Sequence, residues 1–199
     1  MQNVQSDKLA TVAINNGITL RELNEKLQNL PQHEIQQQRF EGMVNRHGFP
    51  DLLPGIYYGH CENGKRNGYG LLYCENTDHD FSFYECMWVK GRAVRGRRIA
   101  IMNGKWAIFE GNLDEKQLIT GYAKWNNEDG HSYEGECHQG RWQGMGIYTF
   151  ENGYFEVGQY INCKSVYRHN YYSSSGRQLL SRIYTEDKNL SRSQIQISY

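Results

Sequence analysis

Apolar residues recur along this chain on two different periods, and the change from one to the other lies near residue 45. In the first stretch Leu9, Val12 and Ala13 share one helical face, with Ser6 as a candidate cap and Asn16-Gly17 as a stop. Thr19-x-x-Glu22 is a capping box that opens a second helix. That helix carries Leu20, Leu23, Leu27 and Leu30 on one stripe and ends before Pro31. A third, weaker helical stretch is predicted from His33 to Val44, so residues 1–45 read as a helical N-terminal segment. The leucine stripe is expected to pack on the protein's own sheet, since surface helices ordinarily bury their apolar face at home. The alternative is a free helix that receives a partner.

From Tyr57 onward the period shortens to two. Tyr57, Gly59 and Cys61 alternate on one strand face, Asn63-Gly64 is a strong hairpin-turn signal, and Gly68, Gly70 and Leu72 alternate on the returning strand. The same pattern, Y-x-G-x-C-x-x-G-x-x-x-G-x-G, returns from Tyr133 to Gly146. Degenerate copies carry Tyr84, Trp88, Gly91 and Gly96, then Phe109, Gly111, Leu113 and Gly121, and a fifth begins near Phe155. Leading aromatics thus recur at intervals of about 25 residues, the mark of a repeat architecture. Glycine weakens a strand unless something covers it, so each leading aromatic is predicted to lie over the bare glycines of a neighbouring strand.

These units resemble the MORN repeat (membrane occupation and recognition nexus), whose consensus is roughly Y-x-G-x-W-x-x-G-x-x-x-G-x-G. The resemblance spans Tyr57 to Lys164, and Cys61 and Cys137 occupy the position that the family usually gives to Trp or Phe. It implies a mainly β fold: an elongated, single-layer antiparallel sheet of hairpin repeats over residues 56–165, each hairpin advancing about 10 Å. Residues 166–199 are expected to form a variant hairpin around Ser173–Gly176 that caps the sheet, followed by a polar tail after Asp187.

Composition supports an ordered, aromatic-rich chain. Mean hydropathy is only −0.79, yet 15 Tyr, 7 Phe and 4 Trp stand beside 21 Gly and just 3 Pro, which is not a disordered composition. Formal net charge is zero, so no global field draws the protein to nucleic acid or to an anionic membrane. The start of the chain lacks the apolar core of a secretory signal. The longest apolar run, Ile99 to Met102, is too short to span a bilayer. The five cysteines never form a C-x-x-C pair and read as reduced packing residues. Together these features predict an intracellular, cytoplasmic protein.

Neither a P-loop, a G-x-S-x-G elbow nor an H-E-x-x-H helix occurs, and the seven histidines show no ligand spacing, so no catalytic residue, metal or cofactor is expected. One stretch stands out in charge: Lys90, Arg92, Arg95, Arg97, Arg98 and Lys105 follow one another with no acid among them. It reads either as a solvated face or as an anion-binding patch (Arg92, Arg95, Arg97, Arg98) for an acidic segment or phosphoinositide headgroups. The resemblance implies a non-enzymatic scaffold or adaptor in a cytoskeletal, ciliary or membrane-junction assembly. Its partner, a protein helix or extended segment, is expected on an aromatic face lined by Tyr57, Trp88, Phe109, Tyr133, Tyr148 and Tyr160. The alternative is a peripheral module for anionic lipid. Neither nucleic acid nor a small-molecule substrate is expected.

Overall fold

A computed structural model describes residues 2–184 and 194–197. Two helices precede thirteen strands, and the chain divides into two compact units, Met1–Leu118 and Ile119–Tyr199. In each unit the strands pair antiparallel with their neighbours in chain order. The fold is therefore mainly β and built of successive hairpins.

The first unit opens with α1 (Gln2–Asn15) and α2 (Leu20–Leu27). α1 is already running before Ser6, so Ser6 does not cap it. Gly17, with φ +70°, supplies the left-handed turn that ends this run. Thr19 caps α2: its hydroxyl accepts from the Glu22 amide at 3.2 Å. Leu9, Val12, Ala13, Ile18, Leu23 and Leu27 are buried together against Leu71, Phe81, Ile99, Ile101 and Ile108 of the sheet. The leucine stripe thus packs at home, but only in part. Leu20 sits in the first turn of α2 and is 59% exposed, while Leu30 lies beyond the helix and is partly buried.

The expected third helix is a strand. After a short 3-10 turn, Ile35–Phe40 forms β1, which pairs with β2 (Gly55–Glu62) from Ile35↔His60 to Phe40↔Gly55. The local glutamine-rich sequence is indifferent, and pairing decides it: without β1 the backbone groups on one side of β2 would have no partners. β3 (Lys65–Glu75), β4 (Phe81–Val89), β5 (Arg92–Met102) and β6 (Lys105–Leu113) complete the unit's sheet. Asn63-Gly64, Lys90-Gly91 and Asn103-Gly104 form its tight turns, both residues of each at positive φ.

The two faces of this sheet are covered differently. The helices lie on the face of Tyr58, Leu71, Phe83 and Ile99, not on that of Tyr57. On the Tyr57 side, residues 41–54 form a small irregular hairpin bridged at Met43↔Leu52 and Arg46↔Phe49. Its Arg46 is 2% exposed and donates to the carbonyls of Pro50 (2.6 Å) and Lys116 (3.1 Å). Burial lowers the Arg46 pKa, and neighbouring Arg98 lowers it further, against the opposing pull of Tyr84.

The second unit consists of β7 (Ile119–Asn127), β8 (Ser132–His138), β9 (Arg141–Thr149), β10 (Phe155–Ile161), β11 (Lys164–Tyr172), β12 (Gln178–Tyr184) and β13 (Gln194–Ile197). The predicted C-terminal hairpin is present, with β11 and β12 joined through a Ser173–Arg177 turn. The stretch between Tyr184 and Gln194, where the polar tail was placed, lies outside the described residues. Among the described residues this unit contains no helix, so it supplies no second layer of its own.

Candidate partner-binding face

The repeat chemistry is visible in one device used twice. Tyr57 on β2 lies flat over Gly70 on β3, so close that a Cβ on Gly70 would fall onto the ring. Its hydroxyl donates to the carbonyl of His60 at 2.8 Å, at a bulge where the β2–β3 register shifts. Tyr133 does the same over Gly146, donating to the Glu136 carbonyl at 2.9 Å at the equivalent bulge. The ring fills the space that glycine leaves, and its polar end satisfies the carbonyl that the bulge withdraws from the ladder.

A third instance escaped the sequence reading. His169 on β11 covers Gly158 on β10, and its Nε2 donates to the Gln159 carbonyl at 2.8 Å. Its Nδ1 stands 3.6 Å from Glu156, which also accepts from Tyr160 (2.9 Å) and Ser165 (3.2 Å). Burial alone would raise the Glu156 pKa, but His169, Tyr171 and Tyr160 together hold it lowered. His169 falls where the two clear units carry Gly70 and Gly146, so the repeat pattern gave no signal for it.

This packing corrects the predicted partner-binding set. Tyr57, Trp88, Tyr133 and Tyr160 are all buried inside the fold, with Tyr57 and Trp88 edge-to-face at 5.1 Å. They cover glycine and one another and present nothing to a partner. Phe109 is half-buried under the guanidinium of Arg98, which it shares with Tyr84. Of the six, Tyr148 remains accessible as part of a layer.

That layer belongs to the second unit. Trp142 stacks on Tyr133 at 4.2 Å, and Trp125 meets Trp142 at 5.5 Å and Tyr148 at 6.5 Å. Tyr148 in turn touches Phe150 at 5.0 Å and His131 at 5.7 Å. Trp125, His131, Trp142, Tyr148 and Phe150 are all half-buried, so their rings form a continuous surface whose lower layer is already packed. The layer runs up to two adjacent turns, 127–131 and 150–154, which carry Glu128, Asp129 and Glu151.

The arginine run does not converge on one anion site. Arg97 and Arg98 are consecutive on β5 and point to opposite faces. Arg97 binds Glu85 at 2.6 Å, whereas Arg98 donates to Ser82 Oγ at 2.9 Å. Arg92 and Arg95 are exposed. The patch that sequence spacing suggested is divided by the alternation of the strand itself.

Cys61, Cys74 and Cys86 are buried, Cys137 is half-buried and Cys163 is exposed, and all five are free thiols. Burial pushes the Cys74 thiol up to about 11 and the Cys137 thiol to about 12. Among the described residues no group of three or more His, Cys, Asp or Glu side chains is placed to hold a metal ion. No helix among them is long and apolar enough to cross a membrane. No protein-family model matches the chain, and no curated protein matches it.

Proposed function

We propose that this protein is a MORN-type scaffold that holds a segment of a partner protein over the aromatic layer of its second unit. The observation that carries this reading is the half-buried surface of Trp125, Trp142, Tyr148 and Phe150, on a unit whose described residues provide no helix to cover it. Large aromatic patches of this kind are the usual anchors of protein interfaces, because they bury much area at small entropic cost. The adjoining Glu128, Asp129 and Glu151 favour a segment with basic residues at one end. The scaffolding role in a cytoskeletal, ciliary or membrane-junction assembly extends the MORN resemblance to this chain.

The experiment compares two surface variants for capture of partners and for binding to anionic vesicles. Trp125→Ser with Tyr148→Ser should abolish partner capture, while Arg92→Glu with Arg95→Glu should leave it intact. If instead the arginine variant loses salt-sensitive vesicle binding and the aromatic variant loses nothing, the protein is a lipid module and the scaffold reading fails.

A further inference from the structure

The first unit contains a cleft of about 750 Å³ between α1, the start of α2 and the helix-covered face of the sheet. Ile56, Tyr58, Leu71, Tyr73 and Phe83 form its floor, and Ala10, Ala13 and Ile18 form much of its wall. α1 presents the small side chains of Ala10 and Ala13 to the cleft. Its few polar side chains are largely engaged: the Tyr58 hydroxyl donates to Asn24 at 3.2 Å, and Thr19 is occupied as the cap of α2. Ile14, Leu20 and Ile56 ring the mouth and are 62%, 59% and 52% exposed, an apolar border that the fold leaves in water.

Volume and lining match a small-molecule site, an apolar cleft with a few polar groups at its rim. They do not suit an extended peptide. The floor strands β2, β3 and β4 are each paired on both sides, so an inserted backbone would bury amide groups without hydrogen-bond partners. A hydrocarbon chain has no such groups. One cation, Arg21, lines the cleft, and the exposed Arg39 on β1 lies directly across the ladder from Ile56, on the same face. Arg21 bonds one acid, Glu25, at 3.1 Å on an exposed helix surface, which leaves further guanidinium donors free for a second carboxylate.

We propose that this cleft binds a long-chain fatty acid, its hydrocarbon chain on the Tyr58–Tyr73–Phe83 floor and its carboxylate between Arg21 and Arg39. The site is independent of the aromatic layer of the second unit and stands or falls separately from the scaffold reading. A ligand held here bridges helices and sheet, so its binding stabilises the docked helices by mass action.

The test titrates the full chain with palmitate by calorimetry and follows its melting temperature. One-to-one binding and a rise in melting temperature are expected. Ala10→Trp, at an exposed position of the wall, should fill the cleft and weaken palmitate by about tenfold or more while the unliganded protein melts normally. Arg39→Glu should weaken palmitate several-fold and leave the uncharged palmityl alcohol unaffected. Failure of palmitate to bind the folded wild type overturns the proposal, as does binding that Ala10→Trp leaves unchanged. Self-association that Ala10→Trp abolishes, in a protein that ignores palmitate, identifies a second copy of the chain as the occupant and equally overturns it.

Discussion

Glu85 and Arg97 face each other across β4 and β5 at 2.6 Å, and the pair ties the N-terminal helices to the sheet. Lys26 of α2 reaches the other oxygen of Glu85 at 2.6 Å, and Arg97 donates to the carbonyl of Asn16 at 2.9 Å. One carboxylate thus receives a cation from the sheet and another from the helix. Burial acts to raise the Glu85 pKa, but its bonds to Lys26 and Arg97 outweigh that and leave it lowered.

The stabilisation from Glu85 is therefore complete above the unfolded carboxylate pKa of about 4.3 and is lost as pH falls through the lower folded value. Glu85→Gln should flatten the acid limb of the stability profile and cost about 2 kcal/mol at neutral pH, since it strands a half-buried guanidinium. Denaturant melts of both proteins between acid and neutral pH measure this. An unchanged acid limb would remove Glu85 from the docking of the helices.

The leucines of α2 separate packing from pattern. Leu23→Ala empties a site that is 1% exposed and should cost about 2–5 kcal/mol, whereas Leu20→Ala, at a mostly exposed position, should stay within about 0.5 kcal/mol. Equal losses in chemical denaturation would mean that Leu20 is buried in solution.

Gly70 and Tyr57 form one packing unit. Gly70→Ala drives a methyl into the Tyr57 ring and should cost about 1–3 kcal/mol. With Tyr57→Leu in the background, that cost should shrink, because the smaller side chain concedes the space. A double-mutant cycle reads the coupling, and strict additivity would deny that the ring and the glycine depend on each other.

Thiol labelling tests the cysteine assignments. Cys163 is exposed in the β10–β11 turn and should react with a thiol reagent in the native state at neutral pH. Cys74 and Cys86, buried and raised in pKa, should react only on unfolding. A chelator should leave the melting temperature unchanged, and zinc in stoichiometric amount would reverse the reading of these residues as packing groups.

Much of this architecture is legible in the residues because its causes are local. Asn63-Gly64 takes two left-handed conformations that few other pairs adopt, Thr19 and Glu22 cap a helix within one turn, and the Tyr-Gly-Cys alternation defines a strand face without reference to anything distant. These signals suffice for the hairpins and for the place of Tyr57 and Tyr133 over glycine. Whether an aromatic is accessible is not a local property. Tyr133 and Tyr148 are cross-strand partners on one face, yet Tyr133 is buried and Tyr148 is half-exposed, because Trp142 stacks flat on the first with Tyr160 against its edge and meets the second only obliquely.

The sequence by itself determined the hairpin repeats, the Thr19 cap of the second helix and the inward place of Cys61, since each follows from backbone preference or from alternation over a few residues. Only the tertiary structure decided that Ile35–Phe40 is a strand, that the loop residue Arg46 is buried, and that consecutive arginines serve opposite faces. Those outcomes depend on which distant groups need a partner: the open side of β2, the carbonyl of Lys116 and the carboxylate of Glu85. A buried polar group left unpaired costs more than any local propensity returns, so residues far apart in the chain settle conformations that neighbouring residues leave open.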